Sequence, residues 1–304
     1  MADTRKEAER LLPRSARSSR ARRMRSTYGP WALVAGASRG VGAAYARALA
    51  AWGVNVVLVA RNNDRLSALK QELEERCRVD ARTVAMDLSD PELLARIEAE
   101  TAGLDIGLVI YNAALTRPGP FLSRPLSDHL AVLDVNCRGP LALSHWAGTR
   151  TQQRLAAGGR AGIILMSSMT SFVGSPGVAA YGASKAYNST LGEAIGHELS
   201  HTGVDMLVCN AGVIRSRAEQ REAAGFFGRL FSPPVSTPEF VARKALAALG
   251  RKRVIIPGAR NKAVTVIMQR LFPRRLSVWL MNRTVEGLDF EGEHERVKSD
   301  GGEK

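Results

Sequence analysis

The chain has 304 residues, 45% of them apolar, which suits one large globular domain or two small ones. Three widely spaced cysteines and five histidines without ligand spacing predict neither a disulfide framework nor a metal site, so we expect no metal and a reducing, cytoplasmic compartment. The net charge of +14 comes from the two ends: residues 1–27 hold nine basic residues against three acidic ones, and residues 241–285 hold eleven basic residues and no acid.

The first 27 residues lack the apolar core of a signal peptide, and their composition predicts a disordered basic tail. Core-like sequence begins just after Met24, which leaves open whether the protein starts at Met1 or Met24. No apolar run in the chain approaches the roughly 20 residues that a membrane span needs.

From residue 31 onward, apolar β-branched runs alternate with amphipathic stretches. The runs predict strands at 31–37, 54–60, 81–87, 106–114, 162–168 and 204–212. The stretches between them predict helices at 41–53, 65–77, 91–103, 126–148 and 181–200. Strands that are apolar on both faces need helices on both sides, so we predict one doubly wound parallel α/β domain, a Rossmann fold, over residues 28–250.

The loop after the first predicted strand is rich in glycine. Gly36, Gly40 and Gly42 follow the strand and lead into a helix, whose free N–H groups and dipole favour a pyrophosphate. The alternative is a tight strand-to-helix turn without a ligand. The position within a βαβ unit favours a dinucleotide site.

The end of the second predicted strand indicates which dinucleotide is bound. An acid there usually holds the ribose of NAD, whereas this strand ends in Ala60, Arg61 and Asn62, with Arg39 in the glycine loop. A guanidinium pairs well with a phosphate, so we expect NADP. The alternative is that Arg61 is simply a solvated surface residue.

The stretch YGASK places Tyr181 four residues before Lys185, on one face of a predicted helix. A tyrosine can donate a proton to a developing alkoxide if a nearby cation lowers its pKa from about 10. The alternative is an ordinary surface pair.

Together these motifs resemble the short-chain dehydrogenase/reductase family over about residues 30–250. The resemblance rests on GASRGVG at 36–42, Asp87, YNAA at 111–114, Asn136, Ser168 and YGASK at 181–185. Ser168 precedes Tyr181 by thirteen residues, which is the family's usual separation. Ser167 is one residue out, so it points to the opposite side of the strand.

The resemblance implies an NADP-dependent oxidoreductase that interconverts a small-molecule ketone or aldehyde and an alcohol. Tyr181 would be the proton donor, and Lys185 would tune it and hold the nicotinamide ribose. Ser168 would polarise the substrate oxygen, and Asn136 would position a water in a proton relay. The cofactor-binding residues would be Gly36, Ser38, Arg39, Gly40, Val41, Gly42, Arg61, Asp87, Leu88, Asn112, Ala113, Ala114, Tyr181, Lys185, Gly212, Ile214 and Ser216.

The sequence departs from the family pattern at four places. Ala35 replaces a threonine, and Ala114 replaces a glycine near the adenosine. After the sixth strand, Ala211 and Gly212 replace proline-glycine, and Ser216 replaces a threonine that touches the cofactor. We expect these changes to affect the affinity for the cofactor more than the chemistry.

The segment 214–234 corresponds to the family's substrate lid. Phe226, Phe227, Leu230 and Phe231 recur there at helical spacing, which suits either a hydrophobic pocket or ordinary core packing. A pocket would fit an acyl, steroid or other lipid-like carbonyl compound.

Residues 251–285 form a basic extension that resembles an amphipathic helix pair broken at Pro273. Two alternatives remain open for residues 259–285: peripheral contact with an anionic membrane, or packing on protein. Residues 286–304 are predicted to be a flexible tail.

The sequence disfavours two other function classes. A non-catalytic NADP-binding sensor is disfavoured by the complete set Asn136, Ser168, Tyr181 and Lys185. A specific nucleic-acid binder is disfavoured because neither an aromatic-interleaved basic patch nor a recognition helix supports it. We also expect a homo-oligomer.

Overall fold

The protein is built from alternating strands and helices. The computed structural model describes residues 18–156, 158–214 and 236–286. Its strands are Trp31–Ala35 (β1), Asn55–Ala60 (β2), Ala81–Ala85 (β3), Ile106–Tyr111 (β4), Ala161–Ser168 (β5), Val204–Ala211 (β6) and Val254–Ile255 (β7). Its α-helices are Ser19–Tyr28 (α1), Gly40–Ala51 (α2), Asn63–Cys77 (α3), Leu93–Glu100 (α4), Leu126–Leu133 (α5), Gly139–Ala156 (α6), Ala179–Glu198 (α7), Pro238–Ala248 (α8), Ala259–Val266 (α9) and Arg274–Glu286 (α10).

The strands of the described ranges pair in one seven-stranded parallel sheet. Their order is β3-β2-β1-β4-β5-β6-β7, so the chain reverses its direction of travel across the sheet between β1 and β4. In sheets of this type the reversal opens a crevice at the carboxyl ends of the strands, where ligands bind. The predicted doubly wound parallel fold is confirmed.

The sheet is covered by helices on both faces because its strands are apolar on both faces. Val34 of β1 is fully buried in the cluster that includes residues of α2, and its neighbour Leu33 is fully buried in the cluster that includes residues of α6. The side chains of a strand alternate between its two faces, so each interior strand supplies both layers. The result is a three-layer molecule in which helices cover both faces of the sheet, and the carboxyl ends of the strands can carry a site.

The prediction of a disordered tail over residues 1–27 is wrong for residues 18–27, which belong to an ordered segment ending in α1. Ser18 caps this helix by accepting a hydrogen bond from the backbone N–H of Ala21 at 3.2 Å. Ala21, Met24 and Tyr28 are buried and belong to the core. The strongly basic composition hid this short apolar stripe, whose helical spacing lets one face pack while the arginines face solvent.

The Tyr28 hydroxyl donates a 2.6 Å hydrogen bond to Oδ2 of Asp205, which also pairs with Arg160 at 2.7 Å. Burial and the adjacent carboxylate raise the pKa of Tyr28, so the phenol stays protonated and keeps donating. Glycines in β4 and β5 make room for it, because a Cβ on Gly107 would lie 2.6 Å from the Tyr28 carbonyl oxygen and one on Gly162 would lie 3.2 Å from its ring. Helix α1 is therefore fixed against the amino ends of the central strands.

After β7 the chain forms a helix pair around Pro273. Helix α9 continues into a π-helical turn at Ile267–Leu271, and α10 begins directly after the proline. Within the described ranges no helix is long and apolar enough to cross a bilayer. The three cysteines are free thiols, and no group of potential metal ligands is present in those same ranges.

Candidate active site

The glycine loop after β1 lies against the end of β4. Gly36 has a φ of +83°, and a Cβ added there would lie 2.6 Å from the backbone nitrogen of Ala113. A Cβ on Gly42 would lie 1.9 Å from the Gly36 carbonyl oxygen. At Gly40, where α2 begins, nothing lies within 4 Å of an added Cβ. The head of α2 therefore borders open space beside a compact loop, an arrangement that fits a dinucleotide phosphate.

Hydrogen bonds join this loop to the predicted cofactor residues after β4. The Asn112 side chain donates from Nδ2 to the Gly36 carbonyl oxygen at 3.0 Å. The backbone N–H groups of Asn112 and Ala113 both donate to the Ala35 carbonyl oxygen, at 2.9 and 3.1 Å. The threonine hydroxyl that Ala35 lacks is thus not needed to hold the two strand ends together. Ala114 is exposed beside this junction.

The end of β2 is basic but has an acid for a neighbour. Arg61 is exposed, and its Nη1 lies 3.8 Å from Oδ2 of Asp87, which follows β3. The other oxygen of Asp87 accepts hydrogen bonds from the backbone and hydroxyl of Ser89. Asn62 caps α3 by accepting from the Arg65 backbone N–H at 2.8 Å. Arg39 is also exposed, so the region offers two guanidinium groups. The guanidinium group of Arg61 pairs with Asp87.

Three further predicted cofactor residues differ in how deeply they are buried. Val41 and Leu88 are buried apolar residues, one in each of the two core layers. Ser38, within the glycine loop, is half-buried.

Helix α7 carries the tyrosine and lysine on one face, as their spacing predicts. The Nζ of Lys185 lies 5.6 Å from the ring centroid of Tyr181 and donates a 3.0 Å hydrogen bond to the Met166 carbonyl oxygen in β5. Lys185 is only 2% exposed. A buried ammonium held this close to a phenol favours its ionised form electrostatically.

Ser168 is the last residue of β5 and begins the turn that packs against α7. Its Oγ accepts a 3.2 Å hydrogen bond from the Thr170 backbone N–H, which leaves the hydroxyl proton as a donor. Gly182, next to Tyr181, contacts the same turn, since a Cβ there would lie 3.6 Å from the Thr170 carbonyl oxygen. The turn that follows Ser168 and the part of α7 that bears Tyr181 therefore pack against each other.

Asn136 lies in a π-helical turn, Asp134–Arg138, between α5 and α6. It is fully buried and exchanges two hydrogen bonds with the backbone of Leu115, at 2.7 and 2.9 Å. Its Nδ2 also donates to Ser184 Oγ at 3.0 Å, and Ser184 donates to the Tyr181 carbonyl oxygen at 2.7 Å. Asn136 therefore ties the loop after β4 to the helix that bears the tyrosine.

Sequence reasoning missed Tyr111, which supports this turn. The Tyr111 hydroxyl donates to the Val135 carbonyl oxygen at 2.5 Å, and burial raises its pKa so that it stays protonated. A Cβ on Gly139 would lie 2.2 Å from that hydroxyl oxygen. The resemblance gives Tyr111 of the YNAA motif no role of its own, whereas in the structure it positions the backbone next to Asn136.

A second missed group lies behind Lys185. Ser167 points away from the Ser168 side, as predicted, and its hydroxyl donates to the Lys185 carbonyl oxygen at 2.7 Å. Ser189 lies 2.9 Å from Ser167 and 2.8 Å from Oδ1 of the buried Asn210 in β6. Ser189 follows Lys185 by one helical turn, so the spacing that paired Tyr181 with Lys185 could have indicated it.

The end of β6 is covered by the carboxyl-terminal extension. A Cβ on Gly212 would lie 2.8 Å from the side chain of the fully buried Asn261, whose Nδ2 donates to the Pro257 carbonyl oxygen at 2.8 Å. Ile214 forms an isolated parallel bridge with Ser236. The predicted cofactor residue Ser216 lies outside the described residues.

A small, mainly apolar cleft lies between the segment that follows Ser168 and the extension. It is lined by Met169, Phe172, Val173, Thr265, Met268, Gln269 and Met281. Such an apolar lining suits a hydrophobic ligand. The predicted lid residues Phe226, Phe227, Leu230 and Phe231 lie outside the described residues.

Comparison with known sequences matches this chain to a family. The family model described as short chain dehydrogenase matches residues 30–225. The chain is 34% identical over 240 residues to a 7beta-hydroxysteroid dehydrogenase of Collinsella aerofaciens, covering 79% of this chain and 90% of the relative.

Comparison with solved structures agrees. A 7beta-hydroxysteroid dehydrogenase structure superposes with a TM-score of 0.78 and 32% identity, over 85% of this chain and 98% of that one. A short-chain dehydrogenase of Sphingobium yanoikuyae in complex with NADPH gives a TM-score of 0.66 and 28% identity, over 80% and 95% of the two chains.

Proposed function

Because the chain belongs to the short-chain dehydrogenase family, we propose that it is an NADP-dependent oxidoreductase that interconverts a hydrophobic ketone or aldehyde and the corresponding alcohol. The observation that carries this function is the buried Lys185 ammonium 5.6 Å from the Tyr181 ring, on a helix packed against the turn after Ser168. A sensor without catalysis would not need this arrangement.

Each side chain has a defined task at the reacting carbonyl. Bound NADPH would supply the hydride. Ser168 donates its hydroxyl proton as a hydrogen bond to the substrate oxygen, and Tyr181 transfers its phenolic proton to that oxygen as charge develops there. Lys185 stabilises the phenolate that remains. Asn136 holds the helix and the neighbouring loop in register through Leu115 and Ser184.

Two observations favour a hydrophobic substrate. The pocket beyond Ser168 is lined by Met169, Phe172, Met268 and Met281. The relatives compared above include hydroxysteroid dehydrogenases. We therefore place steroid-sized and long-chain ketones first among the substrates.

A panel of ketones tests this function directly. We expect the protein to oxidise NADPH with steroid or long-chain ketones at a kcat/KM at least about tenfold above that for acetone-sized ketones, since burying each extra methylene favours binding by about 0.8 kcal/mol. The measurement is the decrease in NADPH absorbance. Consumption that does not depend on any carbonyl compound would contradict the function.

The proposed preference for NADP rests on Arg61 and Arg39, together with the lack of an acid at the end of β2. We expect Arg61→Asp to lower the ratio of kcat/KM for NADPH to that for NADH by about 10- to 100-fold, because a charge-assisted bond to phosphate contributes about 1.5–3 kcal/mol. The matched control is Arg65→Asp, an equal charge change on exposed α3. An unchanged ratio, or an equal change in the control, would remove Arg61 from the phosphate site.

A further inference from the structure

The carboxyl-terminal helix pair has an outer face that mixes exposed apolar and basic side chains. Leu271 is 70% exposed and Trp279 is 50% exposed. We call this the basic-apolar face, and it consists of Lys262, Val266, Ile267, Arg270, Leu271, Arg275, Leu276 and Trp279.

We propose that the basic-apolar face docks the protein on an anionic lipid surface. The opposite side of the same helix pair is packed on the domain, with Asn261, Thr265, Ser277 and Leu280 all buried. The exposed residues therefore have a fixed direction: Lys262, Val266 and Arg270 recur one helical turn apart, as do Arg275 and Trp279. Fixed apolar side chains flanked by cations are the pattern of a helix lying in a membrane interface.

The charge of the face selects an anionic partner. Residues 241–285 hold eleven basic residues and no acid. Within the described residues, no ion pair involves Lys262, Arg270 or Arg275. Each basic residue near an anionic bilayer strengthens binding about fivefold. The half-exposed indole of Trp279 suits the headgroup level, where tryptophan is enriched.

A second copy of the chain is a weaker candidate for this face. Two copies would bring like charges together, which is unfavourable. The molecule also has another exposed apolar surface, on α5 and α6, where Leu126, Leu130, Leu133 and Leu141 lie beside the Asp134–Arg138 ion pair. That surface has both signs of charge and suits self-association better.

The position of the face adds a consequence that rests on the proposed function. Met268 and Met281 of the same helix pair line the pocket next to Met169. The docked protein would thus hold its substrate pocket close to the bilayer, from which a lipid-soluble ketone can enter. Docking itself does not depend on the enzyme's activity and is measured separately.

The test is co-sedimentation of the full chain with vesicles. We expect binding to vesicles of phosphatidylcholine and phosphatidylglycerol in equal parts, little binding to phosphatidylcholine alone, and weaker binding as salt is raised. The triple variant Lys262→Gln, Arg270→Gln, Arg275→Gln is expected to lower the partition coefficient by about 10- to 100-fold. The double variant Leu271→Ser, Trp279→Ser is expected to lower it by about tenfold.

The matched control removes three charges from the other basic end. Arg20, Arg22 and Arg23 are exposed on α1, and no large apolar residue of that helix is exposed. Their replacement by glutamine is expected to change the partition coefficient by less than about threefold. The buried face of α1 is unchanged in this control, so the variant is expected to keep the wild-type fold. The midpoint of thermal unfolding, expected to be unchanged in every variant, reports that each one is folded.

Three results would each overturn the proposal. The first is a wild-type chain that does not bind phosphatidylglycerol vesicles. The second is a control variant that loses as much binding as the triple variant, which would reduce the effect to general charge. The third is loss of self-association, measured by sedimentation, in the triple variant, with vesicle binding unaffected, which would assign the face to a second copy.

Discussion

Replacing Tyr181 with phenylalanine is expected to lower kcat by about 10²- to 10⁴-fold, the range that a positioned proton donor contributes. Phenylalanine keeps the ring that Lys185 approaches to 5.6 Å and removes only the hydroxyl. The affinity for NADPH, followed by the fluorescence of the bound cofactor, is expected to stay within about threefold, because the glycine loop and its contacts are untouched.

The control for this variant is Tyr187→Phe. Tyr187 lies on the same helix, six residues further along, and is exposed. Its hydroxyl is expected to contribute nothing to turnover, so kcat should equal that of the wild type. Full activity in Tyr181→Phe would show that another group donates the proton. Equal losses in both variants would show that the effect is not specific to the Tyr181 hydroxyl.

The second large effect is expected from Lys185→Met, which keeps an unbranched side chain in the buried position and removes the ammonium. Without the cation, kcat is expected to fall by about 10- to 10³-fold, since a charge at this range changes a neighbour's ionisation by one to three pKa units. In the direction of alcohol oxidation, the pH of half-maximal activity is expected to move upward. A lysine that served only to hold Met166 would leave this pH unchanged.

The matched control is Lys244→Met on α8. Lys244 lies 5.5 Å from the ring of Phe240, nearly the same cation–ring distance as in the Lys185–Tyr181 pair, but the lysine is exposed. This variant should retain wild-type kcat and the wild-type pH profile. Equal losses in the two variants would mean that lysine removal acts through general charge or stability.

Sequence reasoning reached the sheet and the central pair because both depend on local periodicity. Strands apolar on both faces require a covered parallel sheet, and a spacing of four residues requires a shared helical face. The predicted positions of β1 to β6 and α7 therefore agree with the structure to within a few residues.

Features that depend on distant partners were missed. Helix α1 is anchored in part by the hydrogen bond from Tyr28 to Asp205, 177 residues away along the chain. The π-helical turn that carries Asn136 is stabilised by the Tyr111 hydroxyl, and nothing in the sequence of residues 126–148 distinguishes it from a regular helix. Average composition also concealed the apolar stripe within the basic amino-terminal stretch.

The hydrogen bonds of Asn136 have a consequence for local unfolding of the protein. Asn112 grips the glycine loop, Leu115 follows three residues later, and Asn136 joins Leu115 to Ser184 and hence to Tyr181. These hydrogen bonds connect the glycine loop to the helix that bears Tyr181, so the two segments behave as one rigid unit rather than as two hinged lobes. We expect the backbone amides of the glycine loop and of α7 to share similarly slow hydrogen exchange. Breaking any one of these hydrogen bonds would speed exchange in both segments together.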